Sequence, residues 1–348
     1  MRIFITDCEG PISKNDNAME LVAHFIPHGE AFFSLLSAYD DYLAEVEQRP
    51  GYKAGDTLRL ILPFLKTFGA TDKGIKEFSR ANILLMPKAA ETLRVVRQRM
   101  PAFIISTSYE PYIRALCELI AFPFEAAYCT TLALDRYPLL KEEKKYLREV
   151  AEEIARMPMI EWSQGLSDAG RRVVRRLNQI FWEEMAGMEI GRVLAEVDPI
   201  GGEAKAAVVR VIVQQTGAEV SEVMYVGDSI TDLQALAMVK GGGGLAVSFN
   251  GNAYAIKGAQ VACLSRDTGI ISVCAQLFAE AGREGVLALL PHWGKDGLRT
   301  TGVTEEELAH LSSDTEIGEI TPDNQALWIE RSQGFRKEVR GVTVGSLG

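Results

Sequence analysis

Two acids one residue apart, Asp7 and Glu9, follow directly on the strand-forming run Arg2-Ile3-Phe4-Ile5-Thr6, and Gly10-Pro11 closes that run. A strand ending in this way sets both carboxyl groups beyond its carboxyl end, where open α/β sheets bind ligands. Side chains alternate along extended backbone, so the pair points to one side if extension persists. Two carboxylates crowded there need a proton or a cation, and a dianionic phosphate beside them needs a cation too. Taken alone, a strand followed by Asp-x-Glu-Gly is a plain turn more often than a site.

A second acidic strand end changes that balance. Met224-Tyr225-Val226-Gly227 is an apolar strand with a glycine, and Asp228 and Asp232 follow it four residues apart. Between the two acidic ends lie Phe103-Ile104-Ile105-Ser106-Thr107-Ser108, a strand running into hydroxyls, and Lys205, three residues past a Pro-Ile-Gly-Gly turn at the head of a helix. A helix amino terminus adds a favourable dipole for an anion at that point. Carboxylate, hydroxyl, lysine and acid pair, in this order, resemble the four motifs of the haloacid dehalogenase superfamily. The resemblance covers roughly half of the chain.

The resemblance implies a role for each residue. Asp7 would be the nucleophile that attacks phosphorus, giving an aspartyl-phosphate that water then hydrolyses. Glu9 stands where the family usually has a second aspartate, which protonates the leaving oxygen, later activates water, and lends its backbone carbonyl to the metal. Its extra methylene adds about 1.5 Å of reach, a departure that bears on rate more than on fold. Ser106, with Thr107 beside it, would donate to phosphate oxygens, and Lys205 would neutralise phosphate and nucleophile. Asp228 would bind Mg2+ directly or through water, and Asp232 would orient the groups around it; with Asp7 and Glu9 they complete an oxygen-rich site of the kind Mg2+ prefers.

These roles imply a magnesium-dependent phosphatase acting on a small phosphorylated metabolite. The acid pair Asp228 and Asp232 argues against a dehalogenase, and a phosphotransferase would share every motif. The rival of a different class is a non-catalytic member of the fold, serving as a subunit or scaffold of a larger complex. The reading requires folding to bring Asp7 and Asp228 within about 10 Å, close enough to share one ion.

The elements that must position these residues are legible from periodicity. The fold class is α/β: a Rossmann-like doubly wound parallel sheet, because strands and helices alternate at 86–134 and 199–290. Together with residues 1–13 these segments form the core. Apolar residues at Phe32, Leu36, Tyr39, Leu43 and Val46 mark a helical face, and 14–85 reads as an all-helical cap inserted after the first motif, as in phosphoserine-phosphatase-like members. Residues 135–198 read as a second helical insertion, packed on the first cap or on a partner. Its Arg171, Arg172, Arg175 and Arg176 form a stripe best read as a solvated face. The loop Gly51-Tyr52-Lys53-Ala54-Gly55-Asp56 is a substrate-contact candidate, because cap loops in the family close over the phosphate. Residues 291–348 form a C-terminal extension with one capped helix expected over 304–311.

Composition narrows the partners. A formal net charge of −10 over 348 residues argues against nucleic acid or an anionic membrane. Five scattered cysteines with no Cys-x-x-Cys read as free buried thiols, and His24, His28, His292 and His310 lack metal-ligand spacing. No run of about 18 apolar residues occurs. Acids stand where a secretion signal needs its apolar run, so the cytoplasm is the expected compartment. A homo-oligomer is left open.

Overall fold

The structure is a computed structural model that describes residues 1–162, 165–299, 311–312 and 314–341. Seven strands form one sheet: β1 (Ile3–Thr6), β2 (Ala102–Tyr109), β3 (Ala127–Thr130), β4 (Val223–Gly227), β5 (Leu245–Phe249), β6 (Val261–Leu264) and β7 (Glu316–Glu319). Their order is β3-β2-β1-β4-β5-β6-β7. The first six are parallel, and β7 runs antiparallel along β6. This is the doubly wound α/β sheet that the alternation of strands and helices implies. Parallel strands covered on both faces read as continuous apolar runs, and all four residues of β1 are buried.

Each face carries its own apolar layer. Helices Ala89–Arg99, Glu110–Leu119 and Gly269–Leu289 cover one side, around Phe4, Ile104, Leu116 and Phe278. Helices Glu203–Thr216, Leu233–Gly241 and Ala253–Gly258 cover the other, around Ile3, Ile5, Val209 and Tyr225. Strand order reverses at β1, so β1 and β4 are hydrogen-bonded neighbours although more than two hundred residues separate them. Their carboxyl ends therefore open side by side at the switch point, the crevice where such sheets bind ligands. The helix Gly269–Leu289 runs across a break at Gly282, whose φ of 70° only glycine adopts easily.

The two helical insertions share a third apolar cluster. Phe32, Tyr39, Ile61, Phe64 and Phe181 are all fully or almost fully buried in it. The Tyr39 hydroxyl donates to Asn178 Oδ1 at 2.7 Å and accepts from Trp182 Nε1 at 2.9 Å. Arg49 stacks 4.5 Å over the Trp182 ring. The second insertion thus packs on the first cap. Of its arginine stripe, Arg176 bridges Glu153 and Glu184, and Arg171 pairs with exposed Asp168. Phe181 sits between Tyr39 and Phe64, with ring centroids 6.1 Å from each. Phe181→Ala is expected to cost about 3–5 kcal/mol, read as a lowered midpoint of urea unfolding.

The described cysteines are free, and four of the five are buried. No helix among the described residues is long and apolar enough to cross a membrane. The helix expected over 304–311 and His310 fall outside the described residues, except for Leu311. Within the extension, β7 completes the sheet edge and a helix, Gln325–Arg340, returns across the carboxyl ends of the strands.

Candidate active site

Asp7 and Asp228 sit at the ends of adjacent strands, and Asp232 follows one short turn later. One carboxylate oxygen from each of the three lies within 4.8 Å of the others. All three are buried. Gly10 lets the loop after β1 approach this closely: its φ is +94°, and a Cβ there would stand 2.2 Å from Asp228 Oδ2. The close approach of Asp7 and Asp228 on which the sequence reading depends is therefore met.

Lys205 is fully buried from the first turn of helix Glu203–Thr216 and joins the two acidic ends. Its Nζ lies 2.8 Å from Asp7 Oδ2 and 2.8 Å from Asp232 Oδ1. Burial alone would lower its pKa, but Asp232 and Asp7 hold it above the ordinary lysine value. Asp232 commits both oxygens to the protein. Oδ1 accepts from Lys205 and from the Tyr225 hydroxyl at 2.8 Å, and Oδ2 accepts from the Asp228 and Ser229 amides at 3.0 and 3.2 Å. Burial raises its pKa, yet Lys205 and these donors outweigh burial and keep the group below the usual carboxylate range. Asp232 thus braces the loop that aims Asp228.

Asp7 has fewer donors: the Cys8 amide at 2.7 Å on Oδ1, and Lys205 on Oδ2. Burial, then the Asp232 charge, push its carboxyl well above the usual range. Glu9 points away from Asp7 toward the cap, and its Oε1 accepts from the Asn17 amide at 2.7 Å at the start of helix Asn17–Phe25. Burial, reinforced by Asp16, raises Glu9 to about 8. Ser106 is fully buried and its Oγ accepts from the Ser108 amide at 3.1 Å. Thr107 reaches the cavity, and its Oγ1 donates to the Ile200 carbonyl at 3.0 Å.

Asp7, Glu9 and Thr107 open into a cavity of about 110 Å³ between core and cap. Its core wall includes Asp7, Glu9, Thr107 and Asp228; its cap wall includes Phe33, Asp40, Asp41 and Leu58. Of the loop at 51–56, Gly55 lines the cavity, held by its amide on Asp40 Oδ2 at 2.8 Å, while the Tyr52 hydroxyl donates to Asp40 Oδ1 at 2.6 Å. Lys53 of this loop pairs with Asp198. Burial pushes the Asp40 carboxyl up to about 7 from 3.8, despite the Tyr52 hydrogen bond. The folded protein therefore keeps a proton that the unfolded chain loses first. Asp40's contribution to stability is full below about pH 4 and fades as pH rises to about 7, with a slope approaching 1.4 kcal/mol per pH unit. Asp40→Asn should flatten that part of the stability curve, measured as the wild-type minus variant difference in urea unfolding.

Among the cavity-wall residues outside the sequence-level motifs are Asp16, Asp41, Arg336 and Arg340. The two arginines come from helix Gln325–Arg340. Arg336 Nη1 donates to Asp228 Oδ2 and to the Asp228 carbonyl at 3.2 Å; Arg340 Nη1 donates to the same Oδ2 at 3.0 Å. The spacing of four along a helix is present in the sequence, but nothing local marks that face of a mostly polar helix as buried.

The donor set suits a hard divalent ion: three buried carboxylates, one of them, Asp7, short of compensating charge. Asp228 is also the carboxylate that the two guanidiniums hold.

No protein-family model matches the chain, and no curated protein matches it. Among solved structures, a gene product from Archaeoglobus fulgidus is similar over the whole length: 28% identity, 100% of this chain and 99% of that one, TM-score 0.83. Phosphoserine phosphatase in apo form is more distant, with 12% identity over 78% of this chain and 96% of that one and a TM-score of 0.44. The substrate-bound phosphoserine phosphatase complex stands at 13% identity, the same coverages and a TM-score of 0.46. The whole-chain likeness to the Archaeoglobus protein extends to the fold and carries no activity with it.

Proposed function

We propose that this protein is a phosphomonoester hydrolase of the haloacid dehalogenase kind, acting on a small phosphorylated metabolite. One observation carries the reading: a carboxylate at a strand end, paired at 2.8 Å with a buried lysine and gathered with two further acids, faces a small cavity under a helical cap. Asp7 attacks phosphorus and forms the aspartyl-phosphate. Lys205 holds the nucleophile and neutralises the transferred group, and positioning and charge neutralisation are most of what phosphoryl transfer asks of a protein.

Glu9 is the acid/base. With its pKa raised to about 8 it carries a proton at neutral pH, the form needed to protonate a leaving alcohol. It must swing from the Asn17 amide to reach that oxygen, a motion its extra methylene permits. Thr107 lines the cavity wall, and its hydroxyl would serve a phosphate oxygen by giving up the Ile200 carbonyl, while Ser106 holds the loop beneath it. Asp7 and Asp228, with the backbone carbonyl of Glu9, are the groups that would hold Mg2+, and Asp232 would orient Asp228 from behind; the ion when bound supplies positive charge against the phosphate dianion. The small cavity, walled on the cap side by Phe33 and Leu58, supports the reading of a small alcohol as the leaving group.

The non-catalytic reading has one observation in its favour, the occupation of Asp228 by two arginines. Phosphate release from a panel of small phosphomonoesters, with and without Mg2+, decides between them. Release from at least one compound supports the hydrolase; no release from any compound supports the subunit or scaffold.

A further inference from the structure

The helix Gln325–Arg340 is anchored along its buried face. Ser332 donates to the Gly251 carbonyl at 2.5 Å, and Trp328 packs so tightly on β7 that a Cβ on Gly318 would stand 2.7 Å from its ring. Four residues on from Ser332 comes Arg336, and four further comes Arg340, so all three share one face. That face delivers two guanidiniums to one oxygen, Asp228 Oδ2. Arg340 does more. Its Nε donates to the Lys14 carbonyl at 3.1 Å, and its Nη2 donates to the Asn15 carbonyl. Lys14 and Asn15 are where the chain leaves the core for the cap.

We propose that this helix is a built-in competitor of a divalent cation at Asp228, and that cation binding releases Arg336 and Arg340, and through Arg340 the cap hinge at Lys14 and Asn15. A dication on Asp228 would stand beside two positive guanidiniums in a buried site, where like charges repel strongly. The oxygen they share already accepts two N–H groups, so it cannot serve both kinds of cation at full strength. Linkage is reciprocal: whatever the helix gains from Asp228 is subtracted from the affinity of the ion.

The inference rests on the metal reading of the site but not on catalysis, so its test needs no substrate. Hydrogen exchange of wild-type protein, with and without Mg2+ alone, reads the helix directly. The expected result is faster exchange across 325–340 when Mg2+ is bound, with the sheet unchanged. Calorimetric titration of Mg2+ into Arg336→Gln/Arg340→Gln is expected to give at least tenfold tighter binding than wild type. Arg340→Gln alone serves if the double variant fails to fold. Unchanged helix exchange on Mg2+ binding, equal affinities, or no Mg2+ binding by either protein overturns the proposal. Phosphate release in the panel above is a separate readout, so failure of one reading is not mistaken for failure of the other.

Discussion

Lys205→Met is expected to lose activity and to be the least stable single variant of the site. The side chain has no exposed surface and satisfies two buried carboxylates at once. Removing it leaves Asp7 and Asp232 facing each other without a counter-charge, and breaking a buried pair in this way costs about 3–5 kcal/mol. Against a typical total of about 5–15 kcal/mol, that is enough to populate the unfolded state visibly. The second variant that isolates the cause is Lys205→Met/Asp232→Asn. It removes one of the two stranded charges, so it should recover part of the stability and none of the activity. The measurement is a pair of urea unfolding curves. Equal stability of wild type and Lys205→Met would show that the three groups do not form a coupled unit.

Asp7→Asn is expected to separate chemistry from folding. The amide keeps the shape and cannot attack phosphorus, so turnover should fall by at least about 10³-fold. Stability should move the other way or not at all. Burial and Asp232 hold the Asp7 carboxyl well above its ordinary value, so its ionised form is disfavoured in the folded protein. Burying that charge is a cost, and asparagine removes it, while Lys205 keeps Asp232 as a partner. An inactive protein with an unchanged or raised unfolding midpoint is the expected outcome. An inactive protein that is also unfolded would say nothing of the nucleophile, which is why both readouts are taken on the same preparation.

The parts of the site that can be read from the chain are those announced by local pattern. Asp7 and Asp228 each end an apolar run, and parallel strands buried on both faces leave such runs intact. Lys205 follows a glycine turn into a helix, so its place near the crevice is inferable from the order of motifs. Ser106 shows the limit of that inference: its residue type suits a phosphate, yet the strand carries it below the cavity surface and Thr107 is the one that lines it. Arg336 and Arg340 are out of reach for a different reason. Their partner Asp228 lies more than a hundred residues away, and their helix is mostly polar, so no hydrophobic period reveals which face is covered. The cap presents the same difficulty. Phe32, Leu36 and Tyr39 announce a helix, but what that face meets includes Phe64 from its own insertion and Phe181 and Trp182 arriving from the second one. Local pattern names elements; which distant elements share a core is set by packing that no short window contains.

The central claim is that Asp7 carries the phosphoryl group. Wild-type protein mixed with Mg2+ and an excess of para-nitrophenyl phosphate, quenched in acid during turnover and digested, tests it most directly by mass spectrometry. The account predicts a phosphoryl group on the amino-terminal peptide at Asp7, labile to hydroxylamine and absent from Asp7→Asn. Turnover with no phosphoryl group on Asp7, or undiminished turnover by Asp7→Asn, would contradict it.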